Sequence, residues 1–292
     1  MKPAPFEYKV PASLEEALEC LEQHGYDAKV LAGGQSLIPS MNFRLIQPAV
    51  LVDLNEIAGL DSIERKESGG LHIGALARQR AVERSALVAE TVPLLSEAMP
   101  FVAHPQIRNR GTLGGSIAHA DPAAEIPVVA VALNATMHIA SRAGKRSVPA
   151  TDFFQGIFTV DLEPEELLVG VEFPAPIPNS GYAFMEFARR HGDFALAGVA
   201  AIIQLDGEQN CTYARLILLN LGERPVVASA AAAMLTGSRV DRQKIEAAAA
   251  HAASEEIDPV GNVHATARYQ RHLAEVLTRR AIQKALERAS GD

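Results

Sequence analysis

Residues 107–122, Ile107-Arg108-Asn109-Arg110-Gly111-Thr112-Leu113-Gly114-Gly115-Ser116-Ile117-Ala118-His119-Ala120-Asp121-Pro122, constrain this chain more than any other stretch. Glycines, hydroxyls and arginines alternate closely there, and an Asp-Pro pair that signals a helix start follows at once. Glycine lets a backbone take positive φ and approach a ligand, so that successive N–H groups converge on an anion. A helix opening just beyond would add its positive dipole end. A second small-residue turn, Ala32-Gly33-Gly34-Gln35-Ser36, follows an apolar run near the N-terminus. Two such loops predict one ligand carrying two phosphates.

Composition sets the frame around these loops. A chain of 292 residues, 48% hydrophobic and 21% charged, has enough apolar material for two ordinary domains or one large one. The net charge of −8 and the lack of a basic stripe exclude a nucleic-acid surface. Two cysteines, Cys20 and Cys211, cannot supply the thiolates of an iron–sulfur cluster or a structural zinc site. A reduced pair in the cytoplasm is expected. Met1-Lys2-Pro3-Ala4-Pro5 has no apolar signal core, and charges interrupt every long apolar stretch, so neither export nor membrane insertion is expected.

In chain order, Phe6-Glu7-Tyr8 reads as a short strand. Ser13 with Glu16 forms a capping box for a helix that ends at Gly25. Residues 29–32 form a strand feeding into Gly33, and residues 49–54 form another. This β-α-β opening predicts a small parallel sheet with a glycine turn at a strand's carboxyl end, where open α/β sheets place ligands. Residues 60–64 and 71–74 alternate around Ser68-Gly69-Gly70 as a hairpin. Helices are expected over 78–87 and 93–102. Asp121 and Pro122 read as N-cap and N1 of a further helix, with Pro127 kinking or breaking it. Strands are expected over 136–140, 146–148 and 167–173. Pro174-Ala175-Pro176-Ile177-Pro178 is the clearest linker. Beyond it, residues 182–189, 196–205 and 211–219 predict a three-stranded antiparallel sheet, followed by an alanine-rich helical end that includes 265–288.

Other motifs are absent or incomplete. No GxGxxG fingerprint supports a dinucleotide site, and Gly144-Lys145 lacks the upstream glycine of a phosphate-binding P-loop. Gly114-Gly115-Ser116-Ile117-Ala118 has Ala118 where a nucleophile elbow needs glycine. No HExxH or two-histidine–carboxylate spacing exists, so no metal is expected. Arg108 and Arg110 read equally as solvated loop charges or as contacts to a phosphate or a partner. Asp121 could cap a helix, accept from ligand hydroxyls, or both. Phe194, at a charged turn, reads as core or as a neighbour of a planar ring. His104 and His119 read as structural.

The pairing of Ala32-Gly33-Gly34-Gln35-Ser36 with residues 107–116 and His119-Ala120-Asp121-Pro122-Ala123-Ala124-Glu125-Ile126-Pro127 resembles the medium, FAD-binding subunit of molybdenum hydroxylases. That group includes the carbon monoxide, xanthine, nicotinate and quinoline dehydrogenases. The likeness runs the whole chain, including the Arg-x-x-Gly-Asp-aromatic-Ala segment at residues 189–195. It implies an α+β fold: a two-subdomain FAD-binding domain of the vanillyl-alcohol-oxidase (PCMH) type over 1–176, split near residue 57, then a smaller α+β domain over 177–292. It also implies that FAD is held by Ala32, Gly33, Gly34, Gln35, Ser36, Leu37, Arg108, Gly111, Thr112, Gly114, Gly115, Ser116, Asp121 and Phe194. The loops would take the pyrophosphate, Asp121 would lie near the ribityl chain, and Phe194 would pack on a flavin face. Two departures stand out: Ser116 replaces a common asparagine, and Ala77-Arg78 replaces a Thr-Thr pair.

The resemblance further implies an electron relay without an acid–base or nucleophilic residue in this chain. A molybdopterin-type molybdenum cofactor on a large subunit and two 2Fe–2S clusters on a small subunit would feed this FAD, which passes electrons to an external acceptor. Such assemblies are dimers of heterotrimers. The likeness of Gly111-Thr112-Leu113-Gly114-Gly115-Ser116 to the quinoline-type enzymes suggests an N-heteroaromatic substrate. The competing expectation is a self-sufficient FAD-dependent reductase or oxidase of the same superfamily.

Overall fold

The computed structural model describes residues 1–291. Its N-terminal part is a three-stranded parallel sheet built from β1 (Glu7–Lys9), β2 (Ala28–Leu31) and β3 (Val50–Asp53), in the order β1-β3-β2. The central strand β3 is buried at every position, which its run Val50-Leu51-Val52 makes favourable. Helix α1 (Leu14–His24) packs Ala17, Leu18 and Leu21 on this sheet. Ser13 caps it by accepting from the Glu16 N–H at 3.2 Å, and Glu16 reaches back to the Ala12 N–H. Gly25 ends it at φ +50. Helix α2 (Leu37–Asn42) follows the first glycine loop.

The hairpin β4 (Ile63–Arg65) and β5 (Leu71–Gly74) opens a second, antiparallel layer. The helix expected over 78–87 is divided into α3 (Gln79–Arg84) and α4 (Ala86–Thr91), because Ser85 caps the latter by accepting from Val88 N–H. The one expected over 93–102 is α5 (Pro93–Ala98) with a tighter turn after it. Short α6 (Pro105–Arg108) and α7 (Leu113–His119) flank the second glycine loop.

Asp121 does not cap a helix. Ala120 adopts the left-handed conformation (φ +50) and closes α7. Asp121 then turns the chain, its side chain accepting from Ala123 N–H at 2.8 Å and its carbonyl from Ala124 N–H at 3.0 Å. Helix α8 (Glu125–Ala132) therefore begins later, with Pro127 in its first turn, where the missing N–H removes no helical bond. Every residue of α8 is buried.

Strands β6 (Thr136–Ser141) and β7 (Gly144–Pro149) lead through α9 (Ala150–Phe153) to the small pair β8 (Phe154–Gly156) and β9 (Thr159–Val160). Strand β10 (Leu167–Phe173) closes the five-stranded sheet β4-β5-β10-β6-β7.

The C-terminal sheet carries four strands, not three: β11 (Ser180–Ala188), β12 (Ala195–Leu205), β13 (Cys211–Leu219) and the short β14 (Val226–Val227). Strand alternation divides its apolar residues between two cores. Phe184, Ala200, Ile202, Ile217 and Leu219 join the core that contains α8. Ala183, Ala201, Ile203, Leu216 and Leu218 face the alanine-rich α10 (Ser229–Ala233), α11 (Arg242–Glu255) and α12 (Ala267–Ser290). The sheet is thus covered on both faces, and α8 is sandwiched because the chain folds back onto it.

Candidate functional site

The first glycine loop leaves β2 at Leu31, whose register partner is Asp53. Gly34 sits at φ +72, a conformation glycine takes without steric cost. The Gln35 side chain fastens the loop by donating to the Gly33 carbonyl at 2.9 Å. Among the described residues, the backbone N–H groups of Gly33, Gly34, Gln35 and Ser36 have no hydrogen-bond partner. Gly33, Gly34 and Gln35 border a cleft of about 430 Å³ lined also by Tyr8, Leu31, Ala32, Ile38, Pro39, Asp53, Asn55 and Arg110. Free donors on a glycine turn beside a cation suit an anion.

The second loop is built differently. Leu113 N–H donates to Ala77 O and Gly114 N–H to Ala75 O, both at 2.9 Å; Gly115 N–H donates to Thr112 Oγ1 at 3.0 Å and Ser116 N–H to Thr112 O at 3.2 Å. Gly111 N–H bonds the Ile107 carbonyl at 2.7 Å. The expected row of free amides is therefore missing here, and none of Gly111, Gly114 and Gly115 has positive φ. Close approach explains them instead. A Cβ on Gly114 would lie 2.5 Å from Ala75 Cβ, and one on Gly111 would lie 2.4 Å from Gln79 Oε1. The loops also touch each other: a Cβ on Gly33 would lie 2.5 Å from Arg110 O, and one on Gly115 would lie 3.8 Å from Ala32 Cβ.

Arg108 and Arg110 separate. Arg108 is 4% exposed, paired with both Glu83 oxygens at 3.0 Å and donating to Val102 O at 2.8 Å and Ala103 O at 3.0 Å. Its donors are engaged within the fold, and it is not among the residues that line the cleft, unlike Arg110. Burial acts to raise the Glu83 carboxyl, but bonds from Arg108 and Arg80 outweigh it and hold the group below its ordinary value. Arg110 is exposed and lines the cleft.

Opposite Arg110 runs a polar chain. Tyr8 donates its hydroxyl to Asp53, whose Oδ1 accepts from Asn55 N–H at 2.9 Å. Asn55 Nδ2 donates to the Ala32 carbonyl at 3.0 Å. Burial favours the neutral Asp53, yet the Tyr8 and Asn55 bonds, with the charge of Arg110, together lower its carboxyl below the ordinary range. The hydrogen bond to Asp53, with burial, raises the Tyr8 phenol.

The other expected residues lie around this core. Ser36 is exposed and its carbonyl accepts from Ser40 N–H at 3.1 Å; Leu37 opens α2. Thr112 caps α7, and Ser116 lies half-buried in its first turn. Asp121 is half-buried before α8, and its charge adds to the burial that raises Glu125 to about 7. Facing Glu125 from β11, Glu186 is raised to about 8 by burial and by Glu125, and its Oε2 has no partner among the described residues. Phe194 is 71% exposed on the loop after β11 and does not line the 430 Å³ cleft. That loop lies over α6's start, where a Cβ on Gly192 would meet the His104 ring at 2.4 Å.

A family model described as the FAD binding domain in molybdopterin dehydrogenase matches residues 4–176. The chain belongs to the FAD-binding medium subunits of the molybdenum hydroxylases. A second model, the CO dehydrogenase flavoprotein C-terminal domain, matches residues 182–285 of this medium subunit. It is 45% identical to the 6-hydroxypseudooxynicotine dehydrogenase complex subunit alpha of Paenarthrobacter nicotinovorans, covering 99% of this chain and 97% of that one. It is 36% identical to the carbon monoxide dehydrogenase medium chain of Afipia carboxidovorans, covering 99% of each. Among solved structures, quinoline 2-oxidoreductase from Pseudomonas putida 86 superposes with a TM-score of 0.94 at 42% identity, covering 99% of each chain. A mixed α/β FAD-binding domain followed by a C-terminal domain is therefore the architecture of this medium subunit.

Sequence reasoning passed over Tyr8, Asp53 and Asn55 in the cleft. One signal was available: Asp53 closes a strand of the parallel sheet and Asn55 follows it, on the side where such sheets take ligands. Nothing in the sequence marks Tyr8, which enters the cleft because β1 pairs with β3 across a long separation.

Proposed function

We propose that this medium subunit carries FAD as the electron-transfer component of a heterotrimeric molybdenum hydroxylase. The observation that carries the reading is the run of unpartnered N–H groups from Gly33 to Ser36, on a loop that shares its cleft with Arg110. Such donors suit a pyrophosphate and need no rearrangement to meet it. Ala32 to Leu37 on one side, with Gly111, Thr112, Gly114, Gly115 and Ser116 packed behind them, form the proposed pyrophosphate site. Asp121 and Phe194 are assigned to the ribityl chain and to a flavin face.

Bound FAD would supply the redox chemistry, taking electrons from iron–sulfur clusters of a partner and giving them to an external acceptor. The chain's own residues hold and orient it. Two free cysteines, Cys20 and Cys211, cannot ligate the clusters, which supports their placement on a small subunit, with the molybdenum cofactor on a large one. A dimer of such heterotrimers is the proposed assembly, in the cytoplasm. No described helix is long and apolar enough to cross a membrane.

The parallel sheet that borders the cleft and the antiparallel sheet that follows it in the chain support a FAD domain of the vanillyl-alcohol-oxidase (PCMH) type over 1–176, with subdomains over 1–57 and 58–176, and a separate domain over 177–292. The relatives named for caffeine and nicotine, with quinoline 2-oxidoreductase among the structures, support an N-heteroaromatic substrate for the assembly.

Titration of the purified chain with FAD tests the reading. Stoichiometric flavin binding, displaced competitively by ADP, is expected, with substrate turnover only after the partner subunits are added. Absence of flavin binding overturns it. Turnover of an organic substrate by the chain alone would instead mark a self-sufficient flavoenzyme.

A further inference from the structure

The polar chain in the cleft continues beyond Asn55. Arg78 Nη2 donates to Asn55 Oδ1 at 2.6 Å, and its Nη1 donates to the Arg110 carbonyl at 2.5 Å. Asn55 already holds the Ala32 carbonyl of the first loop, so one guanidinium joins both glycine loops. Its own backbone is anchored on the second loop through an antiparallel bridge to Thr112.

The tie acts at the narrowest point of the site. The Arg110 carbonyl that Arg78 grips is the atom a Cβ on Gly33 would meet first, so that carbonyl sets how closely the loops approach. Each bond is charge-assisted, and the planar fork reaches both acceptors at once, which an ammonium cannot do. Arg78 is half-buried and stands behind Asn55 and Arg110, outside the residues that line the cleft.

We propose that Arg78 is a positioning residue, a clasp that holds the free amides of the first loop in register with Arg110 and thereby sets FAD affinity without contacting the cofactor. This rests on the FAD-binding reading above. It also gives a role to the position where this sequence departs from the family's Thr-Thr pattern.

The test measures FAD affinity of the full chain by flavin fluorescence, for wild type, Arg78→Ala, Asn55→Ala and the double variant. Loss of the two charge-assisted bonds is expected to weaken FAD binding by about tenfold or more. The double variant should fall within about twofold of the weaker single variant, because both substitutions open one clasp. Methylguanidinium added to Arg78→Ala should restore affinity, a rescue that a merely structural loss does not permit. Arg78→Lys, which reaches one acceptor at a time, should lose about threefold; it carries the test should Arg78→Ala fail to fold.

Unchanged affinity in Arg78→Lys or Arg78→Ala overturns the clasp, and so do additive losses in the double variant, which would make Arg78 act independently of Asn55. A wild-type chain that binds no FAD defeats the underlying reading instead, before any variant is compared.

Discussion

The two glycine loops look alike in sequence and do opposite things in the fold. Ala32-Gly33-Gly34-Gln35-Ser36 keeps its amides free and uses Gly34 for a left-handed turn. Arg110-Gly111-Thr112-Leu113-Gly114-Gly115-Ser116 has its amides from Leu113 to Ser116 hydrogen-bonded within the chain, and its glycines make room for Ala75 and Gln79. One loop offers free donors to the cleft, the surface proposed for the ligand. The other is the wall that positions it. Glycine serves two purposes here, conformational freedom and close packing, and a glycine-serine pattern does not distinguish them.

The arginines give this contrast its sharpest test. Arg108→Met removes a buried cation from half-buried Glu83, which keeps Arg80 at 2.7 Å, and strips the Val102 and Ala103 carbonyls of their donor, at a cost of about 1–3 kcal/mol. Urea denaturation should show that loss, while the folded fraction keeps its FAD affinity. Arg110→Ala should do the reverse, leaving the urea midpoint in place and weakening FAD binding by about tenfold at low salt, less as salt rises. Equal effects of the two substitutions would break the distinction between wall and surface.

The glycines supply the next test. Gly114→Val drives side-chain atoms into Ala75 and should destabilise the chain by about 1–3 kcal/mol. Gly33→Val forces the loops apart at the Arg110 carbonyl, and its main effect should be an FAD affinity lower by about a hundredfold. Calorimetry and FAD titration on both variants separate the outcomes. A Gly33→Val protein with normal affinity would show that the first loop is only a turn.

The smallest expected effect lies behind the second loop, at Glu125 and Glu186. Their carboxyls stand at about 7 and about 8 in the folded chain, against 4.5 ordinarily, with burial the main cause of each shift. The folded state thus holds more protons than the unfolded state between these values. Their contribution to stability is full below about 4.5 and is lost as pH rises through about 7 to 8. Glu186→Gln removes one buried charge and should raise Tm at pH 8.5 by about 2–4 °C, with little change at pH 5. A Tm difference that is the same at both pH values would show that Glu186 is not protonated in the fold.

Much of this was legible along the chain. The parallel β-α-β opening, the Ser13 cap, the hairpin around Ser68-Gly69-Gly70 and the long last helix rest on local signals, and the fold retains them. Asp121-Pro122 misled because an Asp-Pro pair serves a turn as readily as a cap, and the left-handed Ala120 decides between them. The short β14 escaped because Val226 and Val227 alone carry no alternation, and only pairing with Ile217 and Leu218 makes them a strand. Arg108 and Arg110 are indistinguishable in sequence, since Glu83, which holds Arg108, lies on another helix.

The sequence by itself determined where the elements form and which two segments must bend tightly, because propensity, capping and hydrophobic period act over a few neighbouring residues. Tertiary structure alone decided which glycine loop keeps its amides free. The amides of Leu113 and Gly114 are occupied only because residues 75–77 fold back beside them, and those of Gly33 to Ser36 stay free only because no segment does so there. An N–H group's partner depends on which distant backbone reaches it first, and that information resides in the packing of the chain.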